Sequence, residues 1–237
     1  MILLKNTPQN DIMLNGENYF SIDGVKISLK PSKGRYLRLS VNGLTAEVSV
    51  YVPRGVSVKT AKNFAALKSE WIRKSLEKTR RRIERNRPKE GSIRLFGRDV
   101  PVVKIKRGSS FFDGQTVFLS VKGEGEDAFG RSAASFYRAE LYGYIKSRLP
   151  DFARKTGLFC DSWSIRSMKT RWGSCNVARK KLTFGLKLAE QSKECIDYVL
   201  LHETAHLKYA DHGKNFKELL TAYMPDWKKR KKLLNGE

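Results

Sequence analysis

The segment Leu201-His-Glu-Thr-Ala-His-Leu-Lys-Tyr-Ala-Asp-His212 contains all three histidines of this 237-residue chain, in the pattern H-E-x-x-H-x5-H. An α-helix advances about 100° per residue, so His202 and His206 lie on one helical face and can bind the same ion. Catalytic zinc takes three protein ligands and leaves a fourth position for water, and His212 would complete such a ligand set. Glu203 stands beside the first histidine, where a carboxylate can take a proton from that water. The segment therefore predicts one Zn²⁺ per chain, bound by His202, His206 and His212, with Glu203 as catalytic base.

A pair of histidines at this spacing can also occur by chance on a solvated helix. Here the run that leads into the motif, residues 195–201, is largely apolar, which predicts a helix of the protein core. Imidazoles on a buried helix need polar partners or a metal ion. The surroundings therefore favour a metal site over a solvated pair.

The composition is that of a globular protein, with 40% hydrophobic and 11% aromatic residues. No stretch reaches the ~18 apolar residues of a membrane helix, and the apolar start of the chain is too short for a secretory signal. The three cysteines include no C-x-x-C pair, so neither a disulfide framework nor a cysteine zinc site is indicated. We expect a cytoplasmic protein with reduced thiols and no membrane partner. The sequence indicates no oligomeric state.

The chain is strongly basic, with 47 Lys and Arg against 24 Asp and Glu and a net charge of +23. The densest basic runs lie at residues 73–87 and 227–232. Such runs are either solvated helical faces or a surface that binds nucleic acid or acidic proteins. No recognised nucleic-acid-binding motif accompanies the charge. Solvated faces are therefore the preferred interpretation, and nucleic acid remains an alternative partner.

The N-terminal part reads as β-rich. Short alternating runs between residues 19 and 52, separated by Asp-Gly, Lys-Gly and Asn-Gly turns, predict a small antiparallel sheet. Residues 57–86 then predict one long basic helix. Its apolar stripe would consist of Phe64, Leu67, Trp71, Leu76 and Ile83. Strands return at 93–96, 100–105 and 116–121, and the Gly- and acid-rich residues 123–127 suggest the end of a β-rich region spanning 1–125.

The remainder, residues 126–237, reads as an α+β domain. A long helix is predicted from 128 to about 156, kinked or divided at Pro150 and stopped by Gly157. Strands follow at 162–168, 171–175 and 182–184. The histidine helix is predicted at 192–207, with two further helices at 215–223 and 226–234. No internal repeat or phosphate-binding loop is visible in the sequence.

Several motifs in the C-terminal part resemble those of the YgjP-like metallopeptidases. They are Lys169-Thr-Arg-Trp-Gly-Ser-Cys175, Leu182-Thr-Phe-Gly-Leu-Lys-Leu188, Ile196-Asp-Tyr-Val-Leu-Leu-His-Glu-Thr-Ala-His-Leu207, Asp211-His-Gly-Lys-Asn-Phe216 and Met224-Pro-Asp-Trp227. The resemblance implies a zincin-like fold related to SprT-like and WLM-type metalloproteases. It also implies a protein or peptide substrate, zinc bound by His202, His206 and His212, and Glu203 as catalytic acid and base.

Metzincin proteases have the same spacing of three histidines. They carry a glycine where this chain has Tyr209, because the backbone must turn sharply there. Tyr209 therefore argues against a metzincin turn. Asp211 or Gly213 is better suited to a left-handed conformation, which would place the chain reversal closer to His212.

Other residues are candidates for supporting roles. Arg171, Tyr198 and Tyr209 could stabilise an oxyanion, and Arg171, Trp172 and Tyr209 could contact the substrate. Asp197 and Asp211 could accept hydrogen bonds from the histidine rings.

Three function classes remain. The first is a zinc metallopeptidase, the second a noncatalytic scaffold stabilised by metal, and the third a nucleic-acid-associated basic protein whose zinc site is structural or acts only on DNA-bound protein. Glu203 separates the first two classes, because a structural zinc site has no use for a carboxylate that is not a ligand. Salt-dependent DNA binding would indicate the third class.

Overall fold

The structure, a computed structural model, describes residues 19–43, 45–85 and 87–236. The chain forms two compact units, Met1–Arg85 and Asn86–Glu237. The domain boundary proposed from sequence, near residue 125, lies inside the second unit. The strands between residues 92 and 120 thus belong to the same unit as the histidine helix.

The first unit contains a four-stranded sheet of order β1-β2-β4-β3. Its strands are β1 (Tyr19–Ile22), β2 (Val25–Ser32), β3 (Arg38–Val41) and β4 (Val48–Pro53). The prediction of a wholly antiparallel sheet is wrong, because β2 and β4 pair in parallel. Strand β4 is buried along most of its length, so it takes an inner position between β2 and β3.

Two helices follow this sheet instead of the single long basic helix predicted over 57–86. Helix α1 (Val58–Ala66) begins at Ser57, whose hydroxyl accepts a hydrogen bond from the Thr60 amide at 3.1 Å, and α2 spans Ser69–Arg85. The predicted apolar stripe is partly wrong, since Leu67 is 85% and Trp71 47% exposed. The interruption between the helices changes the direction of the side chains that follow it. The buried positions are Ala61, Ala65, Ile72 and Leu76.

The second unit begins with another four-stranded sheet, of order β5-β6-β8-β7. Its strands are β5 (Ser92–Leu95), β6 (Arg98–Ile105), β7 (Phe111–Phe112) and β8 (Val117–Ser120). The successive pairings are antiparallel, parallel and antiparallel, as in the first sheet. Each sheet opens with a hairpin whose turn residues both have positive φ, Asp23-Gly24 and Phe96-Gly97. The sequence shows no repeat, yet the topology occurs twice.

Helix α3 (Glu126–Thr156) links this sheet to the C-terminal core. Its N-terminal half packs Ala133 and Phe136 against the β5–β8 sheet, and its C-terminal half packs Leu141 and Ile145 in the core around the histidine helix. Pro150 lies within the helix without dividing it. The helix ends at Gly157, which has a φ of +70°.

The C-terminal part combines a three-stranded sheet with three helices, which confirms the α+β class. The elements are β9 (Ser162–Arg166), β10 (Gly173–Asn176), β11 (Lys181–Gly185), a 3₁₀ helix (Leu186–Glu190), α4 (Lys193–Ala205), α5 (Lys214–Tyr223) and α6 (Trp227–Asn235). The sheet order is β10-β11-β9, so β10 is an edge strand.

The β5–β6 hairpin positions the start of α4. The amides of Phe96 and Gly97 donate to the carbonyls of Ala189 and Glu190 at 2.8 and 3.2 Å. A β-carbon at Gly97 would lie 3.0 Å from Ser192, the residue that caps α4. The hairpin can approach the capping residue this closely because residue 97 has no side chain.

No helix in the described part of the chain is long and apolar enough to span a membrane. Cys160, Cys175 and Cys195 are all free thiols.

Candidate metal centre

The histidine motif lies on α4, the central helix of the C-terminal core. Ser192 caps it by accepting a hydrogen bond from the Cys195 amide at 3.4 Å. The turns that follow are almost completely buried, up to Ala205. The helix predicted at 192–207 is thus confirmed with slightly shorter bounds, and His206 is its C-terminal cap. Because α4 is packed in the core, its position determines the direction in which the histidine side chains project.

The three histidines converge at one point. Nε2 of His202 lies 3.1 Å from Nε2 of His212, and one ring nitrogen from each residue falls within 4.8 Å of the others. Zinc–nitrogen bonds of about 2.0–2.1 Å in a tetrahedral site separate two ligand atoms by roughly 3.3 Å. The arrangement therefore fits a metal ion held by three imidazoles.

Hydrogen bonds at the far side of two rings support this orientation. Nδ1 of His206 lies 2.9 Å from the carbonyl oxygen of Tyr209, which can only accept, so Nδ1 carries the proton and Nε2 keeps its lone pair. Nδ1 of His202 lies 3.3 Å from the hydroxyl of Tyr198. Each of these two rings therefore has Nε2 available for a metal.

The two aspartates expected to support the histidines have other partners. Asp197 accepts from the hydroxyl of Tyr144 at 2.8 Å and from Nη2 of Arg148 at 2.8 Å, both on α3. Asp211 accepts from the amide of Gly213 at 3.0 Å. Asp197 therefore joins α4 to α3, and Asp211 shapes the loop before α5.

Phe216 of α5 packs against all three rings, and sequence reasoning missed it. Its ring centroid lies 5.0 Å from that of His202 and 4.8 Å from those of His206 and His212. Phe216 is only 2% exposed. Its position as an apolar residue four positions after His212, near the start of a predicted helix, was the available sequence signal.

The chain reverses after α4 without a left-handed residue. The amide of Leu207 donates to the carbonyl of Thr204, and the amide of Tyr209 donates to the carbonyl of Ala205, both at 3.0 Å. These two bonds close the last turn of the helix. The expectation of a left-handed residue at Asp211 or Gly213 is wrong, since Asp211 has no positive φ and Gly213 has a φ of −65°. Helix-terminal hydrogen bonds and the Asp211 side chain make the reversal instead.

Glu203 is 6% exposed and lies beside the histidine cluster. Burial raises the pKa of its carboxyl to about 7, and the positive charge of Arg171 opposes that rise. A β-carbon at Gly173 would lie 2.7 Å from Glu203 Oε1, so β10 lies directly against this carboxylate. A carboxyl with a pKa near neutrality can both accept and return a proton.

The surroundings of His202 and His212 favour the neutral form of these two imidazoles. Burial lowers the pKa of His202 to about 3, helped by the positive charges of His206, His212 and Lys231. Burial also lowers the pKa of His212, together with the charges of His206 and Lys231. Neutral imidazoles are the form that binds metal.

An open cleft of about 490 Å³ contains the site. Of the three predicted substrate contacts, Arg171 and Trp172 line the cleft, whereas Tyr209 does not and its ring packs against the core. The wall also includes residues that sequence reasoning did not select: Gly173, Ser174, Cys175, Lys231, Leu234 and Asn235.

Comparisons with known proteins place the chain among metallopeptidases. The model of the family described as YgjP-like, metallopeptidase domain, matches residues 35–237. A solved structure similar to part of the chain is that of the metallopeptidase zymogen jannalysin from Methanocaldococcus jannaschii. It is 22% identical, with 38% of this chain and 92% of that chain covered and a TM-score of 0.35. No curated protein matches the sequence.

Proposed function

Because the chain belongs to the family of YgjP-like metallopeptidases, we propose that it hydrolyses peptide bonds with one Zn²⁺ bound by His202, His206 and His212. Glu203 acts as the general base. The observation that carries this proposal is the convergence of three imidazole nitrogens within 4.8 Å beside a buried carboxylate. A metal-stabilised scaffold would not require that carboxylate or an open cleft around it.

The metal ion and Glu203 have different roles in the proposed reaction. Zinc, when bound, supplies a Lewis acid that polarises the peptide carbonyl and lowers the pKa of water to roughly 7. Glu203 takes a proton from the attacking water at a carboxylate oxygen and passes it to the leaving amine. Its raised pKa suits both steps, because the protonated and ionised forms are close in free energy at neutral pH.

Two of the three oxyanion candidates line the cleft. The Tyr198 hydroxyl lies beside the metal-binding cluster, 3.3 Å from Nδ1 of His202, and the Arg171 guanidinium is close enough to affect the pKa of Glu203. The Tyr198 hydroxyl contacts Nδ1 of His202, on the side of the ring away from the metal-binding nitrogen. We therefore propose that the Arg171 guanidinium stabilises the developing negative charge. Tyr209 supports His206 through its backbone carbonyl and is a weaker candidate.

The edge strand β10 suggests how a peptide is held. Gly173, Ser174 and Cys175 belong to this strand and line the cleft, and β11 pairs with only one of its edges. An extended peptide can pair with an exposed strand edge through main-chain hydrogen bonds. We propose that the substrate binds in this manner, alongside the metal site.

The test combines metal analysis with one nearly isosteric substitution. Wild type and Glu203→Gln should each retain one zinc per chain, while His206→Ala should lose it. Glu203→Gln should lower the rate of hydrolysis of an unfolded protein substrate by about 10²–10⁴, because the amide cannot accept a proton. Stoichiometric zinc in His206→Ala would contradict the ligand set. Equal turnover by Glu203→Gln and wild type would remove Glu203 from its role.

A further inference from the structure

The C-terminal helix α6 is anchored along α4, next to the metal-binding cluster. The Trp227 ring stacks on Tyr198 with centroids 6.5 Å apart and planes inclined by 8°. The Cys195 thiol donates to the carbonyl of Arg230 at 3.7 Å, and Arg230 Nη1 donates to the carbonyl of Glu194 at 3.4 Å. These contacts hold α6 in place at the side of the cleft.

Helical spacing directs one lysine of α6 into the cleft. Lys231 is four residues after Trp227 and three before Leu234, both buried, so the three residues lie on the same side of the helix. Lys231, Leu234 and Asn235 line the cleft together, whereas the other lysines of α6 do not. The Lys231 side chain is exposed. Within residues 87–236, no acidic side chain forms an ion pair with it.

The charges around the cleft are predominantly positive. Arg171 belongs to the segment before β10 and Lys231 to α6. Among the described residues that line the cleft, Glu203 is the only acidic one. A negatively charged group of a ligand in this cleft would therefore meet a wall that carries more positive than negative charge.

We propose that Lys231 forms a subsite for a carboxylate of the peptide substrate. The carboxylate comes either from an acidic side chain near the scissile bond or from the C-terminus of the peptide. The enzyme then prefers acidic peptides or acts close to a free C-terminus. This inference rests on the proposed peptidase function, since it assigns the substrate class of the same cleft.

A binding measurement tests the subsite without requiring turnover. The protein is the zinc-loaded Glu203→Gln variant, which does not consume the probes. The probes are fluorescein-labelled peptides of one apolar sequence in four forms: free C-terminal carboxylate, C-terminal amide, amide with one internal Glu, and amide with one internal Gln. Fluorescence anisotropy gives the affinity of each. We expect at least one carboxylate-bearing peptide to bind about tenfold more tightly than its neutral counterpart.

Two further substitutions assign the preference to Lys231. Lys231→Met in the same background should abolish it. Lys229→Met is the matched control, because Lys229 is an exposed lysine of the same helix that does not line the cleft; it should keep the preference. Equal affinity for acidic and neutral peptides, or an unchanged preference in Lys231→Met, would overturn the proposal.

The outcomes for the subsite and for the peptidase function are separable. Comparison of the internal-Glu pair with the C-terminal pair identifies the source of the carboxylate. If wild type binds acidic peptides selectively but cleaves no peptide or unfolded protein, the subsite stands and the peptidase function fails. If wild type cleaves peptides and no probe pair shows a preference, the peptidase function stands and the subsite fails.

Discussion

Gly173 lies directly against Glu203. A β-carbon at residue 173 would be 2.7 Å from both Oε1 and Cγ of Glu203, closer than non-bonded carbon atoms approach. Gly173 has no positive φ, so its backbone conformation is open to any residue. The glycine is therefore required for space, because it lets the carboxylate occupy the position between β10 and the histidine cluster.

Gly173→Ala is expected to displace Glu203 and leave the metal ligands in place. Misplacement of a catalytic group by about 1 Å can cost on the order of 10²-fold in rate. We expect a loss of that size in hydrolysis, with one zinc per chain retained. Rate measurements and metal analysis on the same preparation check both parts.

Gly143→Ala is the matched control for this substitution. Gly143 lies within α3 and has no atom within 4 Å of the added β-carbon. Activity should be unchanged, and stability should rise by about 0.5–1 kcal/mol, because alanine is the better helix former. Full activity of Gly173→Ala would show that Glu203 can adjust its position.

The pH dependence of stability in the metal-free protein should contain two opposing contributions. The folded-state pKa of His202, about 3, lies below the unfolded value, so the unfolded state binds more protons and this contribution to stability is lost as pH falls below about 6.5. The folded-state pKa of Glu203, about 7, lies above the unfolded value. The folded state therefore binds more protons, and this contribution grows as pH falls from about 7 to about 4.5.

Single substitutions should separate the two contributions. Between about pH 7.5 and 5.5, metal-free Glu203→Gln should lose more unfolding free energy than wild type, and His202→Gln should lose less. Urea unfolding at both pH values, with a chelator present, measures the change. Identical pH dependence in all three proteins would contradict the assignment of these pKa values.

Removal of Asp197 should destabilise the protein through its contacts with α3. Burial, followed by the hydrogen bond to Asp197, raises the pKa of Tyr144, so the tyrosine hydroxyl stays protonated and donates. Asp197→Ala would leave both Tyr144 and Arg148 without this acceptor. We expect a loss of about 1–3 kcal/mol in the free energy of unfolding, measured by urea denaturation.

Arg154→Ala provides the comparison for this ion pair. Arg154 pairs with Asp151 on the same helix, but its side chain is 67% exposed. Its removal should cost less than about 1 kcal/mol. Equal losses from the two substitutions would mean that burial does not distinguish the two ion pairs.

Binding of nucleic acid remains a proposal that rests on charge. Helix α2 contains seven basic and three acidic residues. If it binds DNA, affinity should fall by about 10³-fold or more between roughly 50 and 200 mM salt for six or more phosphate contacts. Reversal of Arg80 and Arg81 to Glu should weaken the binding in mobility-shift assays. Arg82 is left unchanged, because its guanidinium donates to the carbonyl of Gly43 and so connects α2 to the segment after β3.

An equal change of charge elsewhere controls for long-range electrostatics. Lys146→Glu with Lys155→Glu, both exposed on α3, should affect binding less than the Arg80 and Arg81 reversals. The absence of any mobility shift at low salt would leave α2 as an ordinary solvated surface.

Local patterns in the sequence determined the helix that carries the site and the set of candidate ligands. His202 and His206 are one helical turn apart, and His212 follows after a short reversal, so the convergence of the three rings depends on few residues outside the motif. The apolar run before the motif likewise predicted burial of α4. The same local reasoning predicted most strands and the bounds of α3, although it expected a kink or division at Pro150 that does not divide the helix.

Contacts between segments distant in sequence determined the other features of the fold and of the cleft. The parallel pairing of β2 with β4, the pairing of Asp197 with Arg148, the contact of Gly173 with Glu203 and the place of Lys231 in the cleft each join such segments. Residue spacing along one element specifies which face a side chain occupies. It does not specify which other element covers that face, because that choice depends on the packing of the whole core.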